Sequence, residues 1–193
     1  MEKRNRLFEV ITIAVILLGA VSVTAGRSEI QIDNAGFERG DVAWRYWGDG
    51  DIRDEYYGLK PEEGTFFLRT WLRSGWYQDF RAKKGERYDI SALVASAAKD
   101  GLWGDAYGEV KIEWRNKKDG DVEVGEATSI KFDLDGQTDK KIEKDDWTEI
   151  DLPTVTAPEL ATHGRVLVTI WSSDDEGGGC VLFDDVKVTK VSP

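Results

Sequence analysis

The chain has little of several residues that carry common chemistry. Its 193 residues include one cysteine, one histidine, one methionine and four prolines. One cysteine cannot close an internal disulfide, and one cysteine with one histidine cannot complete a four-ligand zinc site. A histidine-based catalytic dyad has a single candidate, His163, and no serine or cysteine stands near it in a nucleophile motif. Positive charge is also scarce: 26 Lys+Arg face 37 Asp+Glu, for a net charge of −11. Such a chain is a poor partner for nucleic acid or for anionic membrane surfaces. No glycine-rich phosphate loop follows a strand and opens a helix. Tryptophan, by contrast, is abundant: eight Trp exceed seven Phe and six Tyr. With 40% hydrophobic and 11% aromatic residues, the chain is too apolar to remain disordered.

The first 25 residues read as a leader. Lys3, Arg4 and Arg6 precede an uncharged apolar run from Val10 to Val23, and Val23-Thr24-Ala25 offers small residues where a signal peptidase cuts. The run is shorter than the roughly 20 residues of a membrane span. The expectation is therefore a signal peptide over 1–25 and one domain over 26–193, placed in the periplasm, at the cell surface or in the medium. An uncleaved anchor is the alternative. The domain would carry a net charge of −12 and be long enough to bury a core without disulfides. Cys180, next to Val181-Leu182-Phe183, reads as a small apolar core residue.

Short runs of alternating character recur between Gly, Asp and Asn turns. Val110, Ile112 and Trp114 alternate with Glu109, Lys111, Glu113 and Arg115, the period of a half-buried strand. Tyr88, Ile90 and Ala92 do the same, and Phe66 to Thr70 and Val181 to Val188 read as further strands. Arg165 to Trp171 is apolar on both faces, as a central strand is. Ala92 to Ala98 has helical propensity, and Pro158 to His163 allows one helical turn. Thr138 to Asp146 reads as an exposed charged loop. The pattern predicts an all-β sandwich or barrel.

Particular residues then resemble a family. Asn34-Ala35-Gly36-Phe37-Glu38 precedes Trp44; Gly64 to Leu68 forms a Gly-x-x-x-Leu strand; Gln78 lies in a strand. Lys84-Gly85-x-x-Tyr88 opens the next, Trp147-Thr148 precedes a strand ending at Pro153, and Phe183-Asp184-Asp185-Val186 closes the chain. This order resembles the carbohydrate-binding modules of families four, nine and twenty-two over about residues 30 to 190. The resemblance implies a galactose-binding-like jelly-roll β-sandwich of two antiparallel sheets. It also implies a structural Ca²⁺, with Glu38 and Asp184 as side-chain ligands and Gly36 as a carbonyl ligand. Oxygen ligands suit that ion, and the first and last strands of a jelly roll lie side by side.

The implied activity is non-catalytic binding of a polysaccharide or glycan by a monomeric module. Sugars offer C–H faces that stack on aromatic rings and hydroxyls that need polar partners. The candidate contacts are Trp47, Trp71, Trp76, Trp103 and Tyr107 for stacking, and Gln78, Glu113 and Arg115 for hydroxyls. In the resembled family an aromatic near the place of Trp76 and a polar residue two positions on line the cleft. Phe80 shares that parity, which leaves open that this face is core. Trp114 is expected in the core, Trp44 and Trp147 in structural positions, and Trp171 in either setting. Catalysis is not expected. Glu109 and Glu113 share a strand face, but Lys111 stands where jelly-roll glucanases carry a central acid. The competing reading is a structural or adhesion module of the cell envelope with no sugar ligand.

Overall fold

The computed structural model describes residues 28–30, 32–173 and 176–191; the expected leader lies outside them. In chain order the strands are β1 (Ser28–Ile30), β2 (Arg45–Trp47), β3 (Gly50–Arg53), β4 (Phe67–Trp71), β5 (Ser74–Arg81), β6 (Arg87–Ala95), β7 (Trp103–Gly104) and β8 (Tyr107–Asn116). They continue as β9 (Val122–Glu123), β10 (Thr128–Asp133), β11 (Lys140–Lys141), β12 (Thr148–Asp151), β13 (Val155–Thr156), β14 (His163–Trp171), β15 (Gly177–Gly178) and β16 (Cys180–Val191).

Two sheets face each other. Sheet A runs β12-β6-β16-β4-β3, with β1 added on β16 and β13 on β6. Sheet B runs β11-β10-β8-β14-β5-β2, with β9 added on β8. The architecture is the expected jelly-roll sandwich. Among the described residues, pairings between strands are antiparallel except the two-residue contact of β10 with β11, and a single bridge between Ser96 and Lys144 is also parallel. A small ladder of β7 with β15 closes one end.

Period-two alternation builds the core. Val110, Ile112 and Trp114 of β8 and Val166, Val168 and Ile170 of β14 point inward from sheet B. Tyr88, Ile90, Ala92 and Val94 of β6 and Val181 and Phe183 of β16 meet them from sheet A. Rings bridge the sheets: Phe132 to Phe183 at 6.1 Å, Tyr88 to Trp114 at 5.8 Å and Phe80 to Tyr88 at 5.3 Å between centroids. Each fully buried side chain of this size contributes about 1.5–3 kcal/mol.

Two local expectations give way to this packing. The Ala-rich stretch is not helical, because β6 is held between β12 and β16 and its backbone bonds are taken up by both. Pro158 to His163 is a turn closed by Ala161 N–H on the Pro158 carbonyl at 3.1 Å, not a helix. The charged segment 138–146 is anchored by one buried residue, Ile142, whose N–H binds the Asp133 carbonyl at 2.8 Å.

The outer face of sheet A is roofed. Leu59, Phe67, Ala95, Ala97, Cys180 and Leu182 form a second cluster under Tyr56, Trp71 and Trp147. Cys180 is buried there as expected, and burial above all, with the nearby Asp100 charge, pushes its thiol up to about 12, so it stays protonated. Among the described residues no such cluster roofs the outer face of sheet B.

Candidate glycan-binding face

Strand register decides which side chains share the outer face of sheet B. Arg45 of β2 lies opposite Tyr77 of β5, which lies opposite Leu167 of β14, then Lys111 of β8. The next rung is Trp47, Gly75, Thr169 and Glu109, and beyond it Trp171 pairs with Tyr107. On the other side of the Tyr77 rung stand Asp79, Arg165 and Glu113. One end of the face is therefore aromatic and the other charged.

At the aromatic end, the Trp47 and Trp171 centroids are 6.3 Å apart with planes tilted by 39°, and Trp47 and Tyr77 are 6.2 Å apart at 41°. Gly75 makes this possible. A Cβ there would overlap Trp47 Cζ2 and Cη2 and come within 2.8 Å of Thr169 Cγ2. The bare backbone lets the indole lie down on the sheet. Cations sit on two of the rings: the Arg165 guanidinium is 4.4 Å from the Tyr77 centroid and Lys131 Nζ 4.6 Å from that of Tyr107. Trp171 keeps 36% of its surface exposed. Adjacent, partly exposed rings on an open sheet can stack against the C–H faces of consecutive sugars.

At the charged end, one network runs across the strands. Lys117 bonds Asp79 at 2.8 Å, and Asp79 holds Arg165 in a fork at 2.7 and 3.2 Å. Arg165 and Arg115 each reach Asp121 at 3.3 Å. Arg115 lies 3.5 Å from Glu113, which bonds Lys111 at 2.8 Å. Desolvation pushes the Asp79 carboxyl up, but hydrogen bonds and charge from Arg165 and Lys117 outweigh it and hold the group below its ordinary value. Burial opposes the Arg165 charge, and the same bond to Asp79 more than restores it.

The structure brings Trp47, Tyr107, Glu113 and Arg115 onto this face and separates the rest. Trp76 is a correction: it is 2% exposed, stacked on Tyr46 at 4.5 Å and set edge-on to Phe37 at 6.3 Å. It shares its parity with Phe80, and that parity is the core side of β5. Gln78 borders the face, but its side-chain amide is already engaged. Its side chain clasps the backbone of Asp33, accepting from the N–H and donating to the carbonyl, both at 2.8 Å. Trp71 belongs to β4 in the opposite sheet, where the Arg69 guanidinium lies 4.2 Å over its ring. Trp103 is 58% exposed on the β7–β15 ladder, at the end where β8 begins and β14 stops. Arg45, Tyr77, Lys117 and Arg165, not singled out from sequence, complete the face together with Trp171, for which the sequence allows either setting. Tyr77 is the outward neighbour of Trp76, and the inward parity of Phe80 is the signal that identifies it.

The implied cation ligands also converge. Asp185, with φ of 45°, sits in a bulge of β16 between Asp184 and Lys187, and the Val186 N–H reaches the Ala35 carbonyl at 3.3 Å. This docks the bulge on the turn that carries Gly36 and Glu38. A Cβ on Gly36 would lie 3.2 Å from Asp184 Oδ1. Glu38 Oε1 accepts from the N–H groups of Thr65 and Phe66 at 2.9 and 3.0 Å, in space that a side chain at Gly64 would occupy. Asp184 is fully buried. Its Oδ1 accepts from Asp185 N–H at 2.8 Å, while Oδ2 has no hydrogen-bond partner; the backbone amides of Asp185 and Glu63 favour its charged form. Burial first, then the like charges of Asp185 and Glu38, push Asp184 up to about 7. Among the described residues no three acidic, His or Cys side chains cluster, so any cation here would need backbone carbonyls as well.

Neither a protein-family model nor a curated protein sequence matches the chain. Solved structures do match its fold. A module named TmCBM61, solved with beta-1,4-galactotriose, superposes with a TM-score of 0.55 at 15% identity, over 82% of this chain and 97% of that one. A family 16 carbohydrate-binding module gives 0.55 at 20% identity, over 80% and 96%. A family 22 module joined to a xylanase of Clostridium thermocellum, solved with xylohexaose, gives 0.53 at 18% identity, over 82% of this chain and 27% of that one. This chain shares the jelly-roll fold of the carbohydrate-binding modules.

Proposed function

We propose that this chain binds a polysaccharide without cleaving it, on the outer face of sheet B. The observation that carries the reading is the group of Trp47, Tyr77 and Trp171, held side by side on a sheet face that no hydrophobic cluster of the described residues roofs. Fold alone does not give function; the ring surface is what supports it. Solved structures with the same fold include a module in complex with galactotriose and a module joined to a xylanase, the pair complexed with xylohexaose. Stacking on the rings would supply affinity, and Glu113 and Arg115 with their network partners would meet hydroxyls. The carboxylates Asp79 and Glu113 are tied into ion pairs, an arrangement suited to fixed recognition more than to proton transfer.

The same reading includes a structural Ca²⁺ held by Glu38, Asp184 and the Gly36 carbonyl. A buried carboxylate oxygen without a hydrogen bond, beside a second carboxylate, is the donor chemistry such an ion takes. When bound, the ion would neutralise both acids and tie β16 to the turn at 34–38. The basic, apolar and small-residue order of residues 1–25 supports export.

Affinity electrophoresis through gels containing xylan, β-glucan, galactan or cellulose tests the binding claim. Retarded migration in at least one gel is expected. Uniform silence from protein shown to be folded would favour an envelope module with no sugar ligand.

A further inference from the structure

The charged end of the face has a sign opposite to that of the whole chain. The network has one cation more than it has carboxylates: Lys117, Arg165, Arg115 and Lys111 against Asp79, Asp121 and Glu113. Arg81, one rung beyond Asp79 and paired in register with His163, adds another. Two acids border this group: Glu109, one rung from Lys111 on the same face of β8, and Glu123, opposite Arg115 on the short edge strand β9. Beside the network stands Arg45. It is exposed and has no hydrogen-bond or ion-pair partner among the described residues. With Ala43, Tyr77, Gln78, Asp79 and Lys117 it lines a surface cavity of about 280 Å³. Arg45 and Trp47 are two residues apart on β2, so they lie on one face, roughly 7 Å apart along the strand.

On the other sheet, Asp89, Glu149 and Asp151 border a cavity of about 270 Å³ with a single lysine, Lys187, while Lys84, Arg87 and Lys190 with Glu86 line another that has no aromatic among its lining residues. A chain with a net charge of −11 would repel an anionic polymer over most of its surface. It has nevertheless gathered cations beside its ring platform and left one of them open.

Resting on the reading of this face as the glycan site, we infer that the glycan it takes is anionic, with an acid group seated against Arg45 and Lys117 while the pyranose ring packs on Trp47 and Tyr77. Carboxylate and sulfate share the required chemistry. Asp79, already held by Lys117 and Arg165, supplies the fixed acceptor for a neighbouring hydroxyl. Because the acid would meet an arginine near solvent, the preference is expected to weaken as salt rises.

The test compares matched polymers by affinity electrophoresis and titration calorimetry. Galacturonan, glucuronoxylan and alginate are each run beside their carboxyl-reduced forms, and dextran sulfate beside dextran. At least one acidic polymer is expected to bind about tenfold more tightly than its neutral counterpart at low salt, with most of the difference lost at 0.5 M salt. Arg45→Gln is expected to abolish that difference, bringing acidic and neutral polymers to the same affinity. Lys99→Gln, a charge removed near the other sheet, is expected to change nothing. Preference for the sulfated or the carboxylated polymers identifies the acid. Equal binding of acidic and neutral polymers, insensitive to Arg45→Gln, overturns the inference and leaves the ring platform standing. Binding that persists unchanged in Trp47→Ala overturns the platform itself, and the inference with it.

Discussion

The Trp47 ring lies across Gly75, in the space that a side chain at position 75 would fill, with Thr169 beneath its edge. Gly75→Ala is therefore a test of the platform that leaves every aromatic in place. The added methyl must displace the indole or Thr169, at a cost of about 1–3 kcal/mol in stability. Glycan affinity is expected to fall several-fold in calorimetry, with the far-UV circular dichroism unchanged.

Trp76 and Trp47 should separate in a stability assay. Trp76→Ala empties a buried site between Tyr46 and Phe37 and is expected to cost about 3–5 kcal/mol in chemical denaturation. Trp47→Ala, on the sheet surface, should cost much less and lose binding instead. Equal costs would contradict the placement of the two rings.

That pair also marks how far the sequence alone specifies the two faces of a strand. Alternation along 109–115 and 88–92 identified β8 and β6, because one face of each strand is apolar and the other charged. The Gly36–Glu38 turn and Asp184 were legible as neighbours, since the first and last strands of a jelly roll pair and β1 pairs with β16 here. Alternation sorts a strand into two faces but does not say which is inside when both carry aromatics. Trp76, Gln78 and Phe80 share one face of β5; Tyr77 and Asp79 share the other. Gln78 is a surface residue, but its amide is taken up by the backbone of Asp33, a pairing the sequence does not display. Trp171 is ambiguous in the sequence because Leu167 puts an apolar residue on the outer face of β14 as well as on the inner one. The ion network was invisible because its members come from β5, β8, β14 and the 117–121 turn.

The proposed cation site gives a prediction with opposite signs in two buffers. In calcium, a chelator should lower the melting temperature of the wild-type chain. Asp184→Asn should abolish that response. In chelator alone, the variant should be at least as stable as wild type, because the amide removes a buried charge beside Glu38 and Asp185. Identical melting of wild type with calcium and with chelator would contradict the site.

Acid should loosen the charged end first. Asp79 is held below its ordinary value by Arg165 and Lys117, against the opposing effect of burial. A carboxyl whose folded value is the lower one stabilises the fold fully above its unfolded value near 4. That contribution is lost as pH falls through the folded value. Melting temperatures measured from pH 6 to pH 2.5 should fall below pH 4. Asp79→Asn should flatten part of that decline, and at pH 7 it should cost about 1–3 kcal/mol by leaving Arg165 without its fork. An unchanged pH profile in the variant would remove Asp79 from the account.

The central claim is that the outer face of sheet B binds glycan through its rings. The most direct measurement is titration of the doubly substituted Trp47→Ala, Trp171→Ala chain with the polymer that retards the wild type most, with thermal melting recorded alongside. The account predicts loss of detectable binding with a nearly unchanged melting temperature. Wild-type affinity in the double variant would contradict it.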